Sequence, residues 1–246
     1  MRSLILLLTM LTPLLAQGQK PAVILPSGGE DSQKLASAGV PNYLAGLGVL
    51  QNDLLAYFSM DAKAAGGLTW SRVPIGVHCT SEVVQKNEEG RSYLNFAAKK
   101  AKVKFDPDLR ISGAFTLTAW VFVPVNRLAI IWHGEDSLLL SISKTGLGYY
   151  DGGKKKSGGF GGAASPLQGW HHVAIAIGQG KTQAFLDGQP LAVVNGTIDS
   201  VLKSVGNRPR KYDEELMASG IDEQLFFTRA LSASEVAAVM AFSKPK

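Results

Sequence analysis

The chain has 246 residues, a formal net charge of +5 and a single cysteine, Cys79. An internal disulfide is therefore excluded, and a chain of this length can be stabilised by a buried hydrophobic core instead. The positive charge concentrates at 99–104, 154–156 and 208–211. No aromatic-rich basic groove motif accompanies these runs, so nucleic-acid binding is not expected. Solvated loops, or contact with an anionic surface such as an acidic polysaccharide, are the two interpretations left open.

Residues 1–18 have the pattern of a secretory signal peptide. Arg2 precedes an apolar run from Leu4 to Ala16, and cleavage is expected after Ala16 or Gly18. The run is shorter than the roughly 20 apolar residues of a membrane-spanning helix, and no cysteine follows it to carry a lipid. We therefore expect a secreted or periplasmic protein with no membrane span after cleavage.

Residues 19–50 mix Pro, Gly, Ser and Ala without sustained periodicity, which predicts a flexible arm or linker. From 51 to 243, short apolar segments rich in β-branched and aromatic residues alternate with turn-forming clusters. In FTLTAWVFV (115–123) the odd-numbered residues share one face and Trp120 lies on the other. The pattern predicts an all-β sandwich of two antiparallel sheets. We expect Trp120 and Trp170 to be buried between the sheets.

The segment GWHHVAIAIGQGKTQAFLDGQPL (169–191) invites interpretation as a metal or catalytic site. Neighbouring residues on a strand point to opposite faces, so His171 and His172 do not share one ligand. Asp187-Gly188 favours the positive φ angles of a two-residue hairpin turn. Pro190 then places the returning strand at a sheet edge. The segment predicts strands, with structural roles for the histidines and Asp187.

The chain ends in the one clear helical pattern, LSASEVAAVMAF (231–242). Ser232 is placed as the N-cap, and Glu235 follows three residues later to complete a capping box. Val236, Val239 and Met240 recur at helical spacing, which predicts a short helix docked on the sandwich by that face.

Several segments resemble, in the same order, the laminin-G-like, concanavalin A-like jelly-roll domains. They are DLLAYFSMD (53–61), FTLTAWVFVP (115–124), the hairpin at 169–191 and SGIDEQLFFTRALSASEVAAVM (219–240). The resemblance covers roughly residues 52–242 and implies a two-sheet jelly roll. It leaves function open, because the family includes sugar-binding, adhesive, enzymatic and structural members. Many relatives hold calcium, and the resemblance implies Asp222 of the Ile-Asp-Glu motif as its ligand, with Asp61, after the first strand, as the alternative.

A sugar site needs an aromatic surface for the apolar face of a pyranose and polar side chains for its edge. The candidates for ligand binding are aromatic residues beside loops and two arginines in a late polar loop: Trp132, Tyr149, Tyr150, Phe160, Arg208 and Arg210. Trp132 and one of the two tyrosines are also expected in the core, because neighbouring strand residues divide between the two faces.

The paired carboxylates of a glycoside hydrolase, at a spacing such as E-x-D-x-x-E, are absent from the sequence, as are a G-x-S-x-G elbow and a phosphate-binding loop. The sequence thus favours an exported, non-catalytic module that recognises an extracellular or periplasmic polysaccharide or glycoprotein. The alternatives are a protein-interaction or structural module and a carbohydrate-active enzyme.

Overall fold

The computed structural model describes residues 40–60, 68–73, 75–88, 91–96, 98, 101–111, 113–123, 128–135, 139–151, 156–162, 166–197, 200–206 and 220–244. The predicted signal peptide, Asp61, Arg208 and Arg210 lie outside these ranges.

The described chain forms sixteen strands, one 3₁₀ segment at Asn42–Asp53 and one α-helix, α1, at Ala233–Phe242. The strands are β1 (Leu54–Phe58), β2 (Leu68–Ser71), β3 (Gly76–Cys79), β4 (Val84–Glu88), β5 (Arg91–Asn95), β6 (Lys102–Ile111), β7 (Phe115–Val123), β8 (Ala129–Gly134), β9 (Leu139–Ser143), β10 (Gly146–Asp151), β11 (Lys156–Gly161), β12 (Gly169–Gly178), β13 (Lys181–Leu186), β14 (Gln189–Asn195), β15 (Ser200–Gly206) and β16 (Gly220–Phe227).

These strands form two antiparallel sheets. The nine-stranded sheet has the order β14-β13-β12-β7-β16-β1-β2, with β5 pairing with β16 and β4 pairing with β5. The seven-stranded sheet has the order β11-β10-β9-β8-β15-β6-β3. Apolar side chains from the facing sides of both sheets form one continuous core, as expected of a sandwich. The predicted fold, a two-sheet antiparallel jelly roll with a short C-terminal helix, is confirmed.

Strand β7 shows how the alternating sequence builds this core. Its odd-numbered residues, Phe115 to Val123, all lie in the core between the sheets. The expectation that Trp120 and Trp170 lie there too is wrong. Trp120, like the other even-numbered residues of β7, faces the outer side of the nine-stranded sheet, where its indole Nε1 donates to Ser243 Oγ at 3.2 Å. Trp170 lies opposite Phe122 in the β12–β7 register and faces the same way.

A second apolar cluster covers this outer side. Leu44, Leu47 and Leu50 of the 3₁₀ segment and Val236 and Val239 of α1 pack in one cluster with outward-facing residues of the nine-stranded sheet. Residues 42–50 therefore belong to the folded domain, although the sequence predicts an arm up to 50. Three buried leucines in a short 3₁₀ segment give no α-helical period to detect.

No helix in the described part of the chain is long and apolar enough to span a bilayer.

Two predicted local motifs are present. Asp187 and Gly188 both have positive φ, 49° and 76°, as a two-residue hairpin turn requires, and β14 with Pro190 is an edge strand. Ser232 and Glu235 form the predicted capping box at the start of α1. Glu235 also receives a bidentate contact from Arg229, which joins the helix to Asp53 of the 3₁₀ segment.

Candidate ligand-binding face

The outer side of the seven-stranded sheet, called the open face below, carries partly or fully exposed polar side chains. Strand register aligns one residue from each strand in a row across the sheet, and directly paired residues share a face. This cross-strand row consists of Ser157, Tyr150, Leu139, His133, Ser204, Lys104 and His78, of which Ser204 is buried. With strands about 4.8 Å apart, the row spans about 29 Å.

A shallow groove lies beside one end of the cross-strand row, over β9, β10 and β11. Its volume is about 250 Å³. Hydroxyl-bearing side chains and glycines dominate its lining, which comprises Leu128, Ser141, Ser143, Thr145, Gly146, Leu147, Gly148, Gly159, Gly161 and Gly162. Ser141 and Ser143 face outward because Leu140 and Ile142 between them are buried in the core.

Glycines leave the floor of this groove without side chains. Gly148 pairs with both Ser141 and Gly159, so the three lie side by side on the open face. A Cβ added at Gly159 would meet no atom nearer than 3.9 Å. The fold therefore has room for a side chain at Gly159, and its absence keeps the backbone of β11 accessible from solvent.

Of the four aromatic candidates, the structure places one on the open face. Tyr150 is partly exposed in the cross-strand row, whereas Tyr149 packs against the core with its ring centroid 5.4 Å from that of Phe160. One of the two tyrosines thus packs against the core, on the face predicted from strand alternation. Trp132 and Phe160 have no exposed surface, which corrects the expectation that their rings face a ligand. The Nε1 of Trp132 donates to Gln224 Oε1 at 3.1 Å inside the core.

The charged side chains of the open face come mainly from β6 and β15. Lys203 Nζ lies 3.4 Å from Glu135 and 4.0 Å from Asp108, and His78 Nε2 lies 3.5 Å from Asp106. In the middle of the face, His133 Nδ1 lies 3.4 Å from Ser204 Oγ, so these two residues of the row contact each other directly.

Asp222, the predicted calcium ligand, is paired with an arginine. Its side chain is 2% exposed, its Oδ2 accepts a hydrogen bond from Arg91 Nε at 2.8 Å and its Oδ1 accepts one from the Glu223 amide. A guanidinium at this distance supplies counter-charge to Asp222, so the two residues form an ion pair, and calcium binding at Asp222 stays a prediction. No group of three or more His, Cys, Asp or Glu suited to a metal occurs among the described residues.

Arg91 is also surrounded by aromatic rings, an arrangement that the sequence did not reveal. Its guanidinium carbon lies 3.4 Å from the ring centroid of Trp170 and 5.5 Å from that of Trp120. Tyr93 packs edge-on against Trp170. Burial lowers the pKa of Arg91 even though Asp222 favours its charge. This cluster fixes β5 to the nine-stranded sheet, on the side away from the open face.

The adjacent histidines of β12 have opposite environments. His171 Nδ1 lies 2.8 Å from Asp187 Oδ2 and its Nε2 lies 3.2 Å from the Gln168 carbonyl, so a protonated ring can donate to both. The Asp187 hydrogen bond raises the pKa of His171. His172 is fully buried beside Trp120, and burial lowers its pKa to about 4. The structural roles predicted for these histidines and for Asp187 are confirmed.

Three solved structures illustrate what the fold is similar to. Domain 4 of the extracellular arabinanase AbnA from Geobacillus stearothermophilus, in complex with arabinotriose, matches at 12% identity with a TM-score of 0.52 over 76% of this chain and 98% of that one. The ligand-binding domain of botulinum neurotoxin serotype D, in complex with N-acetylneuraminic acid, matches at 13% identity and TM-score 0.61 over 80% and 52%. Trypanosoma rangeli sialidase, in complex with 2,3-difluorosialic acid, matches at 16% identity and TM-score 0.53 over 78% and 33%.

These likenesses show a shared fold, and this chain spans about half of the neurotoxin chain and a third of the sialidase chain. No curated protein sequence matches this chain at a significant level. The family model for concanavalin A-like lectins and glucanases, of laminin-G type, matches residues 97–237, more than half of the chain. Together with the two-sheet architecture, this match shows that the chain belongs to the concanavalin A-like lectin/glucanases superfamily.

Proposed function

We propose that this protein is an exported, non-catalytic recognition module that binds a polysaccharide, or the glycan of a glycoprotein, on its open face. The observation that carries the proposal is the groove with a glycine floor and a hydroxyl rim at Ser141, Ser143 and Thr145. Hydroxyls donate and accept hydrogen bonds, as the hydroxyls of a sugar do. The partly exposed ring of Tyr150, two residues after Gly148 on the same face, supplies apolar surface for a pyranose.

The size of the groove favours shallow contacts along a polysaccharide chain. Pockets that enclose a ligand have volumes of about 300 to 1,000 Å³, and this groove has about 250 Å³. It would hold the edge of one sugar unit, and further units would lie along the cross-strand row. Each contact would be weak, so useful affinity would require a polymer or a multivalent glycan.

The carboxylates described on this face favour recognition over hydrolysis. A glycoside hydrolase normally needs two carboxyl groups flanking the bond that it cleaves. None of the residues described in the groove lining is Asp or Glu. Asp106, Asp108 and Glu135 lie elsewhere on the face, and each has a basic partner within 4.0 Å.

The positions of exposed apolar side chains favour a sugar over a protein partner on this face. The large hydrophobic residues exposed in the described chain are Tyr43, Val49, Val84 and Val193. They belong to the 3₁₀ segment, β4 and β14, so none is on the seven-stranded sheet. Two neighbours of the same fold are carbohydrate complexes, with arabinotriose and N-acetylneuraminic acid, which supports the ligand class. Export is supported by the pattern of residues 1–18.

The test is a panel of immobilised plant, bacterial and animal polysaccharides, probed with the purified wild-type chain and with Gly159→Leu. A Cβ at this position meets no atom nearer than 3.9 Å, and the rest of the leucine side chain should fill the groove, so binding should fall at least tenfold. Ala192→Leu adds similar bulk on exposed strand β14 of the other sheet and should bind like the wild type. The proposal fails if the wild type retains no polysaccharide or if Gly159→Leu binds equally well. Release of new reducing ends from a bound polysaccharide would overturn the non-catalytic part.

A further inference from the structure

Two lysines lie side by side on β6, the strand next to the edge strand β3 of the open face. Lys102 and Lys104 are alternate residues of β6, and both face outward because Val103 and Phe105 are buried in the core. Alternate residues on a strand are roughly 7 Å apart. Lys104 is exposed and belongs to the cross-strand row, and Lys102 is half-buried next to it.

Unlike Lys203 and His78 of the same face, these lysines have no counter-ion among the residues that the structure describes. Lys203 contacts Glu135 and Asp108, and His78 contacts Asp106. Neither Lys102 nor Lys104 forms an ion pair with any residue that the structure describes. Burial and the charge of Lys104 lower the pKa of Lys102, and the opposing charge of Glu82 does not offset them. The fold thus holds two like charges together, which costs free energy that a bound anion would recover.

We propose that Lys102 and Lys104 bind an anionic group of an acidic polysaccharide whose neighbouring sugar units lie along the cross-strand row towards the groove. This inference rests on the proposed function and specifies the charge of its ligand. The relevant chemistry is a carboxylate or a sulfate, since either can accept hydrogen bonds from two ammonium groups. The strand order puts β10 four strands from β6, so Tyr150 and Lys104 are about 19 Å apart. The ligand must therefore be a polymer, because a single sugar cannot reach both ends.

The residues between the two ends suit such a polymer. His133 and Ser204 lie between Tyr150 and Lys104 in the cross-strand row. The half-buried imidazole of His133 can hydrogen-bond to a sugar hydroxyl, whereas Ser204 is buried and contacts His133. Neither residue carries a negative charge that would repel an acidic chain.

The experiment compares matched polymers that differ only in charge. Polygalacturonate and its methyl-esterified form share one backbone, and dextran and dextran sulfate form a second pair that tests sulfate in place of carboxylate. Binding to all four is measured by biolayer interferometry with the wild type, the Lys102→Ala/Lys104→Ala double variant and a Lys181→Ala/Lys244→Ala control. The control removes the same charge from two exposed positions outside the seven-stranded sheet. Thermal unfolding checks that each variant is folded.

The wild type should prefer the acidic member of at least one pair by about tenfold, since each exposed ion pair is worth at most about 1 kcal/mol. The preference should disappear in Lys102→Ala/Lys104→Ala, persist in Lys181→Ala/Lys244→Ala and weaken as NaCl is raised. Equal loss in both double variants would assign the preference to net charge and overturn the inference. Retention of the preference for the acidic polymer in Lys102→Ala/Lys104→Ala would also overturn the inference. Tight binding of neutral and acidic forms alike would overturn the inference and leave the proposed function standing, whereas failure to bind any polysaccharide, here or in the wider panel, would overturn both.

Discussion

The outer sides of the two sheets are built from the same alternating strands but differ in what covers them. On the nine-stranded sheet, the 3₁₀ segment and α1 enclose an apolar cluster, and Trp120, Arg91 and Asp222 lie beside it with little exposed surface. On the seven-stranded sheet, the equivalent side presents serines, glycines, Tyr150 and Lys104 to solvent. Polar groups on the covered side are therefore structural, whereas those on the open face are available to a ligand.

Stability is consequently more sensitive to substitutions on the covered side than to substitutions on the open face. Arg91 Nη2 and both ring nitrogens of His172 are buried without a hydrogen-bond partner among the described residues. A buried polar group without a partner costs roughly 1 to 3 kcal/mol, so little further loss is tolerated there. Substitutions on the covered side should change stability, and substitutions on the open face should change binding.

The largest expected effect on stability is that of Asp222→Ala. Removing one partner of a buried ion pair leaves the other charge uncompensated and typically costs about 3 to 5 kcal/mol. For a domain of this size the midpoint of thermal unfolding should fall by roughly 10 °C, measured by calorimetry. The Arg91→Met/Asp222→Leu double variant removes both charges and should be more stable than Asp222→Ala. The ion-pair assignment is wrong if Asp222→Ala unfolds within about 1 °C of the wild type.

His172 should make the covered side sensitive to acid. Its folded-state pKa of about 4 lies below the unfolded value of about 6.5, so the unfolded chain takes up the proton first. The stability that the neutral ring contributes is present above pH 6.5 and is lost as the pH falls towards 4, by about 3 kcal/mol. Urea unfolding of wild type and His172→Phe at pH 7 and pH 4 measures this. The variant should lose less stability than the wild type between the two pH values, and parallel losses would contradict the account.

His171 should show a smaller effect of opposite sign. Its pKa is raised by Asp187, so the free energy of this pair is present below pH 6.5 and is lost as the pH rises through the folded-state pKa. Because Asp187 is 46% exposed, solvent screening limits the pair to less than about 1 kcal/mol. Asp187→Asn retains a residue that tolerates the positive φ of the turn. Urea unfolding should show this variant less stable than the wild type at pH 6 and equal to it at pH 9; a difference at pH 9 as large as that at pH 6 would contradict the ion pair.

The smallest effect on stability is expected on the open face. Tyr150→Ala removes a partly exposed ring that is outside both apolar clusters, so the free energy of unfolding should change by about 0.5 kcal/mol or less. Polysaccharide binding should weaken in the same variant. If urea unfolding shows a loss above about 2 kcal/mol, Tyr150 is a structural residue and not a ligand-binding one.

Features set by local chemistry were predictable from the sequence. The alternation of Phe115 to Val123 identified the core face of β7, Asp187-Gly188 identified a hairpin turn, and Ser232 with Glu235 identified the start of α1. Each depends on residues at most a few positions apart, so the local pattern carries the information. The same alternation places Trp120 on the outer face of the sheet, although we expected it between the sheets.

Features set by pairing between distant segments were not predictable. Arg91 and Asp222 are 131 residues apart, and no local pattern at either position indicates the other. The cross-strand row likewise combines residues from 78 to 204 and depends on the register of seven strands. Alternation indicated that one of the two adjacent tyrosines faces outward, but not which one. The contacts of Tyr149 with the core show that the outward-facing residue is Tyr150.

The most direct test of the account is amide hydrogen exchange, followed by mass spectrometry, with and without a saturating amount of a polysaccharide retained in the panel. Binding on the open face predicts slower exchange in β9, β10, β11 and β15, with β4, β5 and α1 unchanged. Protection confined to β4, β5 or α1, with the seven-stranded sheet unchanged, would show that the ligand binds the covered side and would contradict the account.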